Sequence, residues 1–390
     1  MTKQFLIYSF LIFGYAASGQ SLEYFVNAAK ENHPELKSRN LQHQAVEKRI
    51  GQYSIWQDPV LSGAYNVTPN SMEKWNVSLM QNFSWFGTTK TQRKAVNAAV
   101  EGSRLKLLAL QKQVEISVAN AYLDVQETEA LLKIQEKNFA TYENLEKIAQ
   151  NKLSTTKGTL SDVVRAEISK ENAALEIDLL KLTLKTNKEL LNSLTGRETN
   201  AAVEVEPIEV SDFISTETML EHHPEVAAMD AMILENEALK AVAEKEAMPM
   251  FGLGVELMRM EPNRNEIMPM VSISLPIFRS KYKARIAETE ALGESYKFEK
   301  QWIGNQLERQ RFNLKKEIET ANKEIQLYEN QQQKTQRLKE LLLNYYSTSG
   351  IDFQEVIRTQ QEEVTYETER VKAEVRLLKA AKEWEYVNLD

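Results

Sequence analysis

Six of the chain's twelve methionines, Met248, Met250, Met258, Met260, Met268 and Met270, crowd into one short stretch. Thioethers are soft ligands suited to Cu(I) or Ag(I); they also fill irregular gaps in packed interiors. Spacing of i and i+2 places Met258 with Met260, and Met268 with Met270, on one side of an extended strand. The four histidines offer less. His33 and His223 each precede Pro-Glu, where capping a helix start is a better reading than ligating a metal. The chain has no cysteine, which excludes disulfides and thiolate metal sites. It also lacks a phosphate-cradling glycine loop, a nucleophile elbow and an HExxH motif. These residues call for no enzymatic role and no cofactor, and leave the methionines as the candidate metal contacts.

The elements that carry the methionines read as strands. In Pro249 to Met260 and in Met268 to Phe278, apolar residues alternate with small or polar ones, and a turn-like Glu261 to Glu266 lies between. Odd positions make an apolar face of Phe251, Leu253, Val255, Leu257, Val271, Ile273, Leu275 and Ile277. Even positions carry Gly252, Gly254, Glu256, Met258, Met260, Met268 and Met270 on the other face. A second hairpin is expected at about 59–67 and 75–86, with Leu61, Tyr65, Trp75, Val77, Leu79 and Phe83 on its apolar face and Met80 facing with the other methionines. Strands of about ten residues with one oily and one polar face are the units of transmembrane β-barrels. Two hairpins supply four strands, too few to close a barrel, and an open edge is not tolerated in lipid. Several chains must then share one barrel, with the methionines toward its lumen.

Nearly everything else reads as helix. Ala, Leu, Glu, Lys and Gln dominate, with 13 Gly and 9 Pro in 390 residues. The net charge of -8, without a basic run, gives no reason to expect nucleic acid. Lys3, the apolar run Phe5 to Ala17 and the small residues Ala17-Ser18-Gly19 read as a signal peptide over 1–19, and hence export. A helical pattern without Pro runs from Thr89 to about Leu153, roughly 95 Å at 1.5 Å per residue. A turn around Gly158 separates it from a helix over Leu160 to Leu194, which Gly196 closes. The chain then repeats itself: His223-Pro224-Glu225 answers His33-Pro34-Glu35, and Gly350 answers Gly158. The expected organisation is a first repeat over 20–196 with a tip turn at about 154–160, a linker over 197–217, and a second repeat over 218–390 with a tip turn at about 346–352.

A duplicated strand, strand, long helix, glycine turn, helix unit behind a signal peptide resembles the TolC family of outer-membrane efflux proteins. The two His-Pro-Glu motifs carry the resemblance, with Phe83-Ser84-Trp85-Phe86-Gly87 and the tip turns after Lys157 and Ser349. It implies a mainly α fold with a small β part: a homotrimer whose 12-stranded β-barrel in outer-membrane lipid continues as an α-helical barrel in the periplasm. It further implies passive transport, with partners in a periplasmic adaptor (membrane-fusion) protein and an inner-membrane pump that dock at the tip turns, at Gly158, Thr159, Gly350 and Ile351. By position after the tip glycines, Asp162, Arg165, Glu355 and Arg358 would ring the aperture. The two arginines depart from an all-acidic ring, so the group reads either as a salt-bridged lock or as solvated helix ends. The methionine pattern looks like the heavy-metal branch, which makes copper or silver the favoured cargo over drugs. A protein-secretion duct shares the architecture. A soluble periplasmic coiled-coil adaptor fits the helices but has no use for the strands.

Overall fold

The computed structural model describes residues 20–53, 56–68, 72–155, 157–209, 219–260, 262–349 and 352–389. The expected signal peptide, residues 210–217 of the expected linker, and Gly350 and Ile351 of the second tip turn lie outside the described residues. Helices α1 (Leu22–Asn32) and α2 (Pro34–Gln52) lead into strands β1 (Val60–Tyr65) and β2 (Glu73–Phe83). The long helix α3 (Thr88–Ser154) and helix α4 (Leu160–Leu194) follow. After a 3-10 turn, α5 (Pro224–Glu246), β3 (Met250–Met260), β4 (Arg264–Ser274), α6 (Ser280–Ser349) and α7 (Phe353–Val387) repeat that order.

The chain forms two compact units, and neither coincides with a sequence repeat. One takes Met1–His33, Val114–Ile214 and Leu314–Glu383; the other takes Pro34–Gln113, Ser215–Asn313 and Trp384–Asp390. The two long helices, 67 and 70 residues, each contribute to both, which is why spatial units cut across the duplicated sequence.

In the unit with the strands, all four form one antiparallel sheet in the order β1-β2-β3-β4. Its strand ends differ from the sequence expectation for local reasons. Asn263 takes φ 84° in a tight turn and donates its N–H to the Met260 carbonyl at 3.0 Å, so β4 starts at Arg264 rather than Met268. Beyond Ser274 comes Pro276, which has no N–H to give a ladder, and β4 stops there rather than at Phe278. β2 ends at Phe83 because the Trp85 carbonyl turns to accept from the N–H and hydroxyl of Thr88, opening α3. The helices of this unit pack through small and polar groups. A Cβ on Gly102 of α3 would meet Ala231 of α5 at 3.4 Å, and the Asn236 amide donates to the Thr289 carbonyl at 2.7 Å.

The other unit has its own apolar core of Tyr142, Leu145, Ala149, Val163, Ala166, Tyr346, Phe353, Val356 and Ile357, where α3, α4, α6 and α7 meet. Above it lies a buried polar layer: Gln360 donates to Asn138 at 3.0 Å, and Lys339 to Gln360 at 3.2 Å and to Glu363. The extended segment after α4 lies along α3, where the Glu206 N–H donates to the Tyr122 hydroxyl and that hydroxyl donates to the Gln20 carbonyl. At the end of α4, Gly196 sits at φ 65°, the left-handed conformation that lets the following Arg197 N–H turn back to the Asn192 carbonyl at 2.9 Å, while the Gly196 N–H donates to the Ser193 carbonyl. Among the described residues no helix is long and apolar enough to cross a membrane.

Candidate functional site

Register decides what each face of the sheet presents. Met80 of β2 pairs with Gly254 of β3, which pairs with Met270 of β4. The next row is Ser78, Glu256 and Met268, and the next Asn76, Met258 and Glu266. Met260 stands between Glu73 and Arg264. The five candidate methionines therefore share one face, interleaved with three carboxylates. On the opposite face Leu253, Val255, Val271 and Ile273 are more than half exposed, a contiguous apolar surface that water does not favour.

Two glycines shape the methionine face. A Cβ on Gly254 would lie 2.6 Å from the Leu79 carbonyl oxygen and 3.1 Å from the Met80 sulfur; one on Gly252 would lie 2.2 Å from the Ser272 hydroxyl and 3.0 Å from the same sulfur. Only glycine leaves room for the Met80 side chain to lie across β3. The Ser272 hydroxyl sits 3.8 Å from that sulfur, a weak hydrogen bond that orients it. Among the described residues no group of three His, Asp or Glu is placed to hold a metal, so any metal contact rests on the thioethers.

At the first tip turn, the Lys157 and Gly158 N–H groups both donate to the Lys152 carbonyl. A Cβ on Gly158 would lie 2.9 Å from that of Lys152. Thr159 then caps α4 reciprocally with Asp162, its hydroxyl accepting from the Asp162 N–H at 3.3 Å while the Asp162 carboxylate accepts from the Thr159 N–H at 3.2 Å. The same carboxylate accepts from the Tyr346 hydroxyl at 3.4 Å. Burial first, and the Asp162 charge second, push the Tyr346 phenol up to about 12, so it remains the donor. The Lys152 ammonium lies 3.9 Å over the Tyr346 ring and also donates to the Tyr346 carbonyl. Arg165 and Glu355 are exposed. Arg358 pairs with Glu362 one turn along its own helix at 3.2 Å, not with Glu355.

The two His-Pro-Glu motifs diverge. Nδ1 of His223 accepts from the Glu225 N–H at 3.3 Å, capping α5, and its Nε2 donates to the Tyr386 carbonyl at 3.2 Å. His33 instead closes α1 through its backbone N–H, and its buried Nδ1 has no hydrogen-bond partner.

No protein-family model matches the sequence, and no curated protein matches it. Solved structures do. The outer-membrane channel OprN superposes with a TM-score of 0.80 at 15% identity, over 94% of this chain and 89% of its own. CusC, described in terms of transmembrane channel formation, gives 0.81 at 14% over 95% and 92%. VceC, an outer membrane protein of Vibrio cholerae, gives 0.81 at 13% over 94% and 95%. The fold is that of TolC-like outer-membrane channels.

Sequence reasoning put Glu256 on the methionine face by parity but gave it no role, and it missed other residues at both the sheet and the tip. Ser272 becomes relevant only through the register that sets it beside Gly252. Tyr346 had a faint signal, as an aromatic in the last turn of a helix before a glycine.

Proposed function

We propose that the protein is the outer-membrane exit duct of a tripartite efflux system, and not an enzyme. In this reading three copies close the sheet into a 12-stranded barrel, each β4 pairing with the β1 of a neighbour, and the helices continue into the periplasm. The observation that carries it is a sheet with two unpaired edges and one exposed apolar face on a TolC-like fold, a combination that lipid and further strands would satisfy together. A soluble periplasmic adaptor would leave that face in water. A signal peptide over 1–19 is part of the proposal, as is docking of an adaptor and inner-membrane pump at the turns of Gly158, Thr159, Gly350 and Ile351. Asp162, Arg165, Glu355 and Arg358 would then line the aperture, with Asp162 already engaged by its cap and Tyr346.

The cargo class we favour is a soft metal cation such as Cu(I) or Ag(I). Met80 and Met270 flank Gly254 on the face opposite the apolar one, Met268 and Met258 follow in the next rows, and Glu256 and Glu266 add negative charge between them. Drug efflux and protein secretion are the competing cargoes, and nothing in the sheet favours either. The test is metal tolerance of a deletion strain carrying the wild-type gene or a variant with Met258, Met260, Met268 and Met270 changed to Leu, which keeps volume and apolarity. Wild type restoring copper or silver tolerance, with an equally abundant variant failing to, is the expected result. Equal restoration makes the methionines packing residues; restoration by neither moves the cargo to drugs or protein.

A further inference from the structure

We infer that the base of the sheet holds an anionic glycerophospholipid, a proposal that rests on the outer-membrane reading above. Where β2 and β3 meet α2 and α3 there is a cavity of about 890 Å³. Its aromatic lining is Tyr53, Trp56, Phe83, Trp85, Phe86 and Phe251, with Trp85 stacked on Phe251 at 5.5 Å and Trp56 edge-on to Phe83 at 5.5 Å. Leu253 and Val271 of the exposed apolar face also line it, so the cavity opens onto the surface assigned to lipid. Beside it, sharing Trp85, Ser84, Gln57 and Gln92, lies a second cavity of about 560 Å³ lined by Lys245, Lys281 and Arg285 and by one carboxylate, Glu246.

The adjoining pair is amphiphilic, apolar on one side and cationic on the other. In the second cavity three cations face one carboxylate; over the pair, with Asp58 of the first cavity counted, three face two, which still leaves an excess of one positive charge. Glu246 is already taken by Arg285 at 2.5 Å, and Lys245 donates to the Phe86 carbonyl at 3.0 Å, which among the described residues leaves Lys281 resting on the Tyr282 ring alone, at 4.7 Å. The surrounding sequence deepens the imbalance. Neither α3 nor α6 has an acidic residue in its first turn. Lys90, Arg93 and Lys94 precede the first acid of α3, Glu101; Lys281, Lys283 and Arg285 precede the first acid of α6, Glu288. Helix N-termini favour anions and disfavour cations, so cations gathered there run against the helix field unless an outside anion joins them. A phosphate between Lys281 and Arg285, with acyl chains among the aromatic rings, satisfies both halves of the site at once. A hydrophobic cation would fit the rings but meet the wrong charge.

The test is native mass spectrometry of the full chain released from dodecyl maltoside micelles doped with either palmitoyl-oleoyl phosphatidylglycerol or its phosphatidylcholine counterpart. Wild type should retain the anionic lipid in clear excess over the zwitterionic one. Lys281→Gln should reduce that excess roughly fivefold, and Lys281→Gln with Arg285→Gln should remove it. The single variant, at an exposed side chain, keeps the test valid if the double variant does not fold. Equal retention of the two lipids by an intact oligomer, or undiminished preference in the variants, overturns the inference and leaves the channel reading standing. A chain that shows no oligomer and leaves the membrane fraction in carbonate overturns the channel reading, and the lipid site with it.

Discussion

The sheet and the tip of this chain are finished to different degrees. At the tip, Ala149, Ala166, Val356 and Phe353 are essentially sealed from solvent, the helix start at Thr159 is capped, and the polar layer of Asn138, Gln360, Lys339 and Glu363 is internally paired. At the sheet, Leu61, Leu253, Val271 and Ile267 face outward and two strand edges are unpaired. A region that satisfies itself within one chain gains its stability from packing. A region that does not leaves apolar surface and strand edges open to something outside the chain, which in the proposed reading is lipid and further copies.

That contrast can be broken most forcefully at the tip. Phe353→Ala removes a ring that is 1% exposed and should cost about 3–5 kcal/mol locally. Hydrogen exchange should then rise along the ends of α3, α4, α6 and α7 while the strands stay protected. Exchange rising equally in both units would mean that the tip has no separate core.

On the sheet the comparison turns on which face is changed. Val255→Lys puts a charge on the apolar face and should cost about 2–4 kcal/mol near a bilayer midplane. Ser78→Lys, on the methionine face, should cost little. Folding yield into phosphatidylcholine vesicles measures both, and equal penalties would remove the distinction between faces.

Two smaller effects sharpen the picture. Burial pushes the His223 imidazole below its ordinary value, and the structure uses it neutral: Nδ1 must accept from Glu225 while Nε2 donates to Tyr386. Below about pH 6.5 the unfolded chain takes up a proton that the folded chain refuses. Stability is therefore present above that pH and lost as pH falls beneath it, and thermal unfolding between pH 7 and 5 should show the loss. His223→Asn should flatten the dependence. Asp162→Ala removes one half of a reciprocal cap and should cost about 1 kcal/mol, seen as faster exchange confined to the first turn of α4.

Much of this was legible in the residues themselves, and the reasons are physical. Alternation over Phe251 to Leu257 sets the two faces of a strand regardless of its neighbours, and the ladder register preserves that parity across the four strands except at the β2 bulge between Glu73 and Trp75, which brings Glu73 opposite Met260. Helix α4 runs from Leu160 to Leu194 as its flanking glycines indicated, because caps are local chemistry. Strand ends were less legible, since alternation runs on past the positive-φ turn at Asn263 and past Pro276, and it is the local backbone at those two residues that ends the ladder. The two His-Pro-Glu motifs read alike but differ because Tyr386, far along the chain, packs on His223 with ring centroids 5.1 Å apart. The gathering of Lys245, Lys281 and Arg285 was equally hidden: in a sequence rich in Lys and Glu, only the fold tells which charges meet.

In the proposed channel one face of the sheet meets lipid and the other meets water. Because the chain has no cysteine, single variants Val77→Cys, Ser78→Cys and Leu79→Cys can each report on one position. The measurement is their labelling by a membrane-impermeant, water-soluble maleimide in the assembled protein in vesicles. Alternation is the expected result, with the thiol at 78 labelled and those at 77 and 79 protected. Equal labelling at all three would mean that both faces stand in water, and the barrel would be refuted.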